Sequence, residues 1–371
     1  MSTDHLSSDS TPSHEQQLHA LRKRARGREL IDDYARQRIV ALPRSDSAIA
    51  YFEMGDPNGT PLLCLHGLSV SGFFFAQYHA YFVRRGIRAI APCLLGGVYL
   101  ADGAKTIDQL SAELVELLDV LDIHKFDTVG FSWGTLPQLA LIARVPQRIR
   151  RAGLLGAMLP QKFIGKAEIA QLKSDVRQSL KMVAHAPRLH RHLMWLLCKL
   201  PVSVLMEQFR DEQLSAAEAA ALEDGSVFSQ QLAHCMQECQ RTGSRFFTDG
   251  WRMFLDEPGY ALDDLAALPP GADLRLYVAE RDNVHLPVFS RMIASACPDA
   301  DVARLKLDDA LTPIDGVNGP HAVFRPVYSR RGSSIWVAPN AGRMACMLYL
   351  TQALDNLIPE RAPERRAFSW A

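Results

Sequence analysis

The sequence predicts an α/β protein in which a mostly parallel central sheet carries helices on both faces and is interrupted by an inserted block of helices. Three observations predict this class. Apolar strand patterns alternate with amphipathic helix patterns from Ala48 to Leu155, the rhythm of parallel strands joined by helical crossovers. The alternation stops between about Leu159 and Leu262, where only helical patterns remain, and returns at Leu274. A Gly-x-Ser-x-Gly motif, Gly130-Phe131-Ser132-Trp133-Gly134, stands at one strand-to-helix junction. The expected spans are an N-terminal extension over 1–45, partly disordered and then helical, a core over 46–158 and 263–371, and a helical insertion over 159–262.

Taken in order, Met1 to about Gln17 is rich in Ser, Thr, Asp and His, with no apolar stretch after a basic start, so it does not read as a secretory signal. Residues 18–38 read as a helix with apolar points at Leu18, Leu21, Ala25, Ile31 and Tyr34. The basic cluster Arg22, Lys23, Arg24, Arg26 and Arg28 interrupts it, and a solvated face is preferred to a membrane-binding one. Ala48–Met54 is a strand, Asp56-Pro57-Asn58-Gly59 a turn, and Pro61–Leu65 a short apolar run suited to the middle of a sheet. There follow a helix Phe73–Arg85, a strand Ile87–Ala91, a helix Ile107–Leu121, a strand Thr128–Phe131, a helix Leu136–Val145 and a strand Ala152–Leu155. The helical block includes the apolar stretch Leu193–Leu205, broken at Pro201. Beyond it come a strand Leu274–Ala279, a helix Val288–Ala296, a strand Val302–Leu307 and a last helix over roughly Gly342–Leu357. The chain past His321 is longer than one closing helix needs. An added strand or packed arm is expected around Ile335-Trp336-Val337, burying the amino-terminal helix or making a homodimer contact.

A chain of 371 residues suits one large domain or a domain with an insertion. Lys+Arg 41 balances Asp+Glu 41, so the totals offer no one-signed field for nucleic acid or an anionic membrane. No apolar run approaches the roughly 20 residues of a membrane span. A small molecule is the expected partner, without nucleic acid and without stable membrane insertion. The seven cysteines, odd in number and scattered, fit free thiols in a reducing compartment, and a cytoplasmic location is expected. Cys235 and Cys239 lie one helical turn apart, but no second Cys/His pair at metal spacing accompanies them, so no metal is expected.

The motif around Ser132 carries the most chemistry. A nucleophilic serine must be exposed on a sharp strand-to-helix turn, and glycines two places before and after leave room for the crowded backbone. Upstream, Cys64-Leu65-His66-Gly67-Leu68 ends the central strand. Downstream, Glu280-Arg281-Asp282-Asn283-Val284-His285-Leu286-Pro287 follows a strand, and Gly319-Pro320-His321 lies near the end.

Leu65-His66-Gly67-Leu68, the turn at Ser132 and these downstream segments together resemble the α/β-hydrolase superfamily, over residues 45 to 325. The resemblance implies the α/β-hydrolase fold with a helical cap over 159–262, no cofactor, and a Ser-acid-His order of catalytic groups. It implies an oxyanion hole from the backbone N–H groups of Leu68 and Trp133, with His66 anchoring its loop. Asp282 is the expected acid, matching the family's Gly-x-x-Asp-x-x-x-Pro, although Ala279 replaces the glycine and Pro287 comes one place late. Glu280 is its rival, and capping the next helix is its competing role. His321 is the expected base, in the family's Gly-x-His position. His285, three residues past the acid, is expected to have trouble reaching Ser132, and His124 precedes the nucleophile's strand. His185, His190, His192 and His234 are read as surface or packing residues.

The function implied is a serine hydrolase cleaving an ester or related acyl bond of a small molecule through an acyl-enzyme. Acyl transfer, carbon–carbon bond hydrolysis and aminopeptidase action of the proline iminopeptidase type use the same triad and stand as alternatives, and a non-catalytic ligand-binding protein is the alternative from another class. A serine nucleophile disfavours the dehalogenase and epoxide-hydrolase branches, which attack with a carboxylate. Met194, Trp195, Leu196, Leu197, Leu200, Val204, Leu205 and Met206 are candidates to line an acyl pocket, against the alternative that they hold the cap helices together.

Overall fold

The computed structural model describes residues 37–94, 105–207, 216–223, 226–241, 244–269, 272–297, 325–330, 333–338 and 350–358. Within them the strands β1 (Gln37–Leu42), β2 (Ser47–Gly55), β3 (Thr60–Leu65), β4 (Ile87–Pro92), β5 (Phe126–Phe131), β6 (Ile149–Leu155), β7 (Asp273–Ala279), β8 (Arg325–Arg330) and β9 (Ser333–Ala338) form one sheet. Their spatial order is β1-β2-β4-β3-β5-β6-β7-β9-β8. The stretch from β4 to β9 is parallel, while β1, β2 and β8 run antiparallel to their neighbours. This is the α/β-hydrolase fold.

Two apolar layers sandwich the sheet, and the period-2 alternation of each strand feeds both. Leu63 and Leu65 face the layer built with α2 (Ile107–Val120), α3 (Thr135–Arg144) and α11 (Pro287–Ser295). Leu62 and Cys64 face the opposite layer, which holds Phe74, Phe75 and Phe82 of the segment ending in α1 (His79–Arg84) and Leu350, Leu354 and Leu357 of α12 (Leu350–Leu357). Local signals place the helices. Thr106 caps α2 in a capping box with Gln109, and Pro287 opens α11 at a position where its missing N–H costs nothing.

Between β6 and β7 the chain leaves the sheet for α4 (Lys166–Gln171), α5 (Ser174–His185), α6 (Pro187–Leu197), α7 (Val202–Met206), α8 (Ala216–Ala221), α9 (Val227–Arg241) and α10 (Arg245–Leu255). Helix α10 packs on α5 and α6, and α9 packs on α7 and on the segment Gly72–Tyr78.

Three expectations need correction or restriction. The helix expected to Arg38 gives way to β1 from Gln37, inside the span assigned to the extension. Gln37–Leu42 pairs residue by residue with Ser47–Phe52, and the backbone N–H groups of Arg44 and Ser45 in the connecting turn donate to Glu116 of α2. The rest of that helix, the strand expected over Val302–Leu307 and the start of the last helix fall outside the described residues. The run Ile335-Trp336-Val337 forms β9, an added strand beside β7.

Candidate active site

Ser132 is held where β5 turns sharply into α3 through a short 3-10 turn, Ser132–Gly134. Its φ of 54° lies in the left-handed region, which a residue with a side chain adopts only when its surroundings enforce it. The flanking glycines answer to close approach, of backbone at Gly134 and of the Gln138 side chain at Gly130. A Cβ on Gly134 would stand 2.4 Å from the Leu65 carbonyl oxygen, and one on Gly130 would stand 2.3 Å from Gln138 Oε1. Thr135 braces the turn: its hydroxyl donates to the Ser132 carbonyl at 2.6 Å and accepts from the Met158 N–H at 2.9 Å.

Asp282 and His285 come from the loop leaving β7, two strand positions from β5. The Asp282 carboxylate, only 3% exposed, accepts through Oδ1 the backbone N–H groups of Val284 and His285, each at 2.9 Å. These two bonds curl the loop back on itself. The His285 ring then donates from Nδ1 to Asp282 Oδ2 at 2.7 Å, which leaves Nε2 to accept the Ser132 hydroxyl at 2.7 Å.

The expectation that His285 would have trouble reaching Ser132 is therefore corrected. Sequence proximity to the acid is no obstacle when the acid's own hydrogen bonds fold the intervening residues into a turn. His321, expected as the base, falls outside the described residues. Among the described residues, the ring that faces Ser132 is that of His285.

His66 has a different job. Its Nε2 accepts the Leu94 N–H at 2.9 Å, so Nδ1 carries the proton and donates to the Gly67 carbonyl at 2.8 Å. Burial lowers its pKa to about 4, and the ring stays neutral while tying two loops together. His124 lies on an exposed loop before β5 beside Asp122, at the opposite end of the strand from Ser132.

In front of Ser132 and His285 lies a cavity of about 390 Å³. Leu68, Trp133 and Val284 line it from the sheet side, and Val176, Met182, Met194, Leu197, Leu205 and Trp251 from the helical insertion. Trp133 lies within the 3-10 turn, whose leading N–H groups have no partner inside the turn. Of the apolar candidates named from sequence, Met194, Leu197 and Leu205 reach the cavity, whereas Trp195, Leu196, Leu200 and Val204 are exposed and Met206 is buried in the second apolar layer.

Two contributors carried no sequence signal. The Trp133 indole donates to the Gly250 carbonyl of α10 at 2.8 Å, joining the turn at Ser132 to the insertion. His190, read as a surface or packing residue, is buried in the cavity wall with Nδ1 2.9 Å from the Thr248 hydroxyl, Nε2 without a partner among the described residues, and its pKa lowered by burial.

Residues 60–196 match the family described as alpha/beta hydrolase fold. Over 104 residues the chain is 35% identical to a 2-hydroxymuconate semialdehyde hydrolase of Pseudomonas sp. (strain CF600), a match covering 27% of this chain and 37% of that protein. The chain thus spans well under two thirds of that relative's length. Among solved structures, an esterase from Thermogutta terrifontis superposes with a TM-score of 0.54 at 15% identity, covering 87% of this chain and 97% of the other. A hydrolase from Pseudomonas aeruginosa PA01 superposes with a TM-score of 0.57 at 15% identity, covering 87% and 98%.

Proposed function

We propose that this chain is a serine hydrolase of the α/β-hydrolase superfamily that cleaves a carboxylic ester or related acyl bond of a small molecule. One observation carries the reading: the continuous line of hydrogen bonds Asp282–His285–Ser132, 2.7 Å at each step, opening on a largely apolar cavity. A serine hydroxyl is a weak nucleophile at neutral pH, and an imidazole whose Nδ1–H is held by a carboxylate presents Nε2 as the base it needs.

In the proposed sequence, His285 Nε2 takes the Ser132 proton as Oγ bonds to the acyl carbon. The carbonyl electron pair moves to oxygen, which the Leu68 and Trp133 N–H groups receive, a contribution of roughly 3 to 4 kcal/mol per donor in other acyl-transfer enzymes. As the tetrahedral species collapses, the bond to the leaving oxygen breaks and His285 returns the proton to it. Water, deprotonated by the same ring, then releases the acid and restores Ser132. Asp282 keeps the tautomer and stabilises the imidazolium. The insertion acts as a cap, since its side chains close the cavity opposite Ser132. Acyl transfer and carbon–carbon bond cleavage would use the same groups and differ in the acceptor or the bond broken.

A fluorophosphonate probe tests the reading, together with a panel of p-nitrophenyl esters, thioesters and amides. Labelling at Ser132, lost in Ser132→Ala together with ester turnover, is the expected result. Labelling of another serine, or none in folded protein, refutes it.

A further inference from the structure

Of the large hydrophobic side chains exposed among the described residues, all but Val83 and Val120 fall between Leu189 and Val204. They are Leu189, Leu193, Trp195, Leu196, Leu197, Leu200 and Val204, a patch formed by α6, α7 and their link. Leu189, Leu193 and Leu196 recur at helical steps along α6, so the patch is a built face rather than scattered exposure.

The charge of the stretch that forms it is one-signed between Asp175 and Glu207. In a chain whose cations and anions balance, no Asp or Glu occurs between Asp175 and Glu207, while Arg177, Lys181, Arg188, Arg191 and Lys199 do. Lys199 lies over the Trp195 ring at 5.2 Å, and His192 stacks on the other side of the sequence from it at 5.7 Å. Asp175 and Asp249, on the adjoining helices α5 and α10, have cations within 4 Å, Lys173 for the first and Arg245 with Arg191 for the second, which leaves Arg188 and Lys199 as the cations of the face itself.

We propose that this face of the insertion docks on an anionic lipid surface and takes acyl substrates from it. An apolar face with Trp and Leu, rimmed by Lys and Arg, is the composition that settles at a bilayer interface without spanning it. No described helix is long and apolar enough to cross a membrane. Charge argues against the two other occupants. A second copy would bring the same cations to the same face. The chain's own amino-terminal segment is itself basic through Arg22, Lys23, Arg24, Arg26 and Arg28. The patch also runs into the cavity: Leu197 belongs to both, and Met194, Cys198 and Leu205 of the same stretch line the wall opposite Ser132. An acyl chain therefore has an apolar path from the docked face to the proposed nucleophile. That route rests on the hydrolase reading above, whereas docking does not.

Flotation of the full chain with phosphatidylcholine vesicles, with and without phosphatidylglycerol, tests the proposal. Expected are binding at least about tenfold tighter to the anionic vesicles, its loss at high salt, and a weakening of roughly tenfold in the pair Leu189→Ser/Leu196→Ser and in the pair Arg188→Glu/Lys199→Glu. Both pairs should keep the wild-type melting temperature and wild-type turnover of a short soluble ester. If no ester is turned over, the hydrolase reading fails while the vesicle result still decides the docking. Equal binding to both vesicle types, or undiminished binding by folded variants, overturns it. So does a wild-type dimer in light scattering that the substitutions dissociate, which would assign the face to a second copy.

Discussion

Replacing His285 by Ala and, separately, His321 by Ala puts the placement of the base to its most direct test. The His285 ring makes two contacts that matter to the chemistry, one to Asp282 and one to Ser132, each at 2.7 Å. Alanine removes both, leaving Ser132 with no acceptor for its proton. In a reference serine protease, loss of the histidine alone costs on the order of a millionfold in kcat, about 8 kcal/mol of transition-state stabilisation. The fold should survive, because the loop is held by backbone N–H groups of Val284 and His285 on Asp282 Oδ1, and these do not involve the ring. The stability cost is that of a charge-assisted hydrogen bond, about 2 kcal/mol, read as a few degrees of melting temperature. The assay is kcat for a short p-nitrophenyl ester alongside the rate of fluorophosphonate labelling, with folding checked by circular dichroism. Near wild-type kinetics are expected for His321→Ala. A His321 variant that is dead, beside a His285 variant retaining a tenth or more of its activity, would refute the assignment.

Other expectations follow from the same geometry. Asp282→Asn offers one oxygen to three donors, so kcat should fall about ten-thousandfold while Glu280→Gln stays near wild type; equal losses in the two would move the acid to Glu280. Gly134→Ala forces a Cβ to 2.4 Å from the Leu65 carbonyl oxygen, and the turn at Ser132 should no longer form, seen as a large loss of melting temperature and of probe labelling together. Trp133→Phe removes the indole bond to Gly250, at a cost of about 1 kcal/mol for one hydrogen bond to a carbonyl that stays paired within its helix. Its KM should rise more for bulky esters than for an acetate, and an unchanged ratio would separate that bond from positioning of the insertion. For His66, the native pKa near 4 lies below the ordinary 6.5, so only the unfolded chain binds the proton between those values. Its contribution to stability is complete above the unfolded pKa and shrinks as pH falls toward 4, by up to about 3 kcal/mol. Denaturant unfolding at neutral pH and near pH 4 should show a shallower fall in His66→Gln than in wild type.

The sheet and the turn at Ser132 could be read from sequence because both depend on local rules: short apolar runs for buried parallel strands, and glycines where backbones crowd. Asp282 was legible through the resemblance, whose Gly-x-x-Asp segment it matches, whereas a rule of strand-end position alone would have favoured Glu280 directly after Ala279. His285 was misjudged because reach was counted in residues. What sets it is the pair of backbone hydrogen bonds that Asp282 accepts from its own loop, and no periodicity reports those bonds. Strand β1 was hidden by a basic stretch that reads as helix until the partner strand is known. Cavity-lining residues of the insertion were only partly legible, because adjacent positions of one helix, Met194 and Trp195, face the cavity and the solvent respectively.

Carboxylate and imidazole occupying a single four-residue bend has a consequence for how this site can change over time. Their spacing is set by covalent neighbours and not by agreement between distant stretches of chain, so insertions or losses beyond α11 leave the couple intact. The two groups travel as one heritable unit. The described elements beyond α11 answer to other demands, pairing β9 with β7 and covering the sheet with α12. The same economy concentrates risk, since one deletion between Asp282 and His285 would break the line of hydrogen bonds to Ser132 at a stroke.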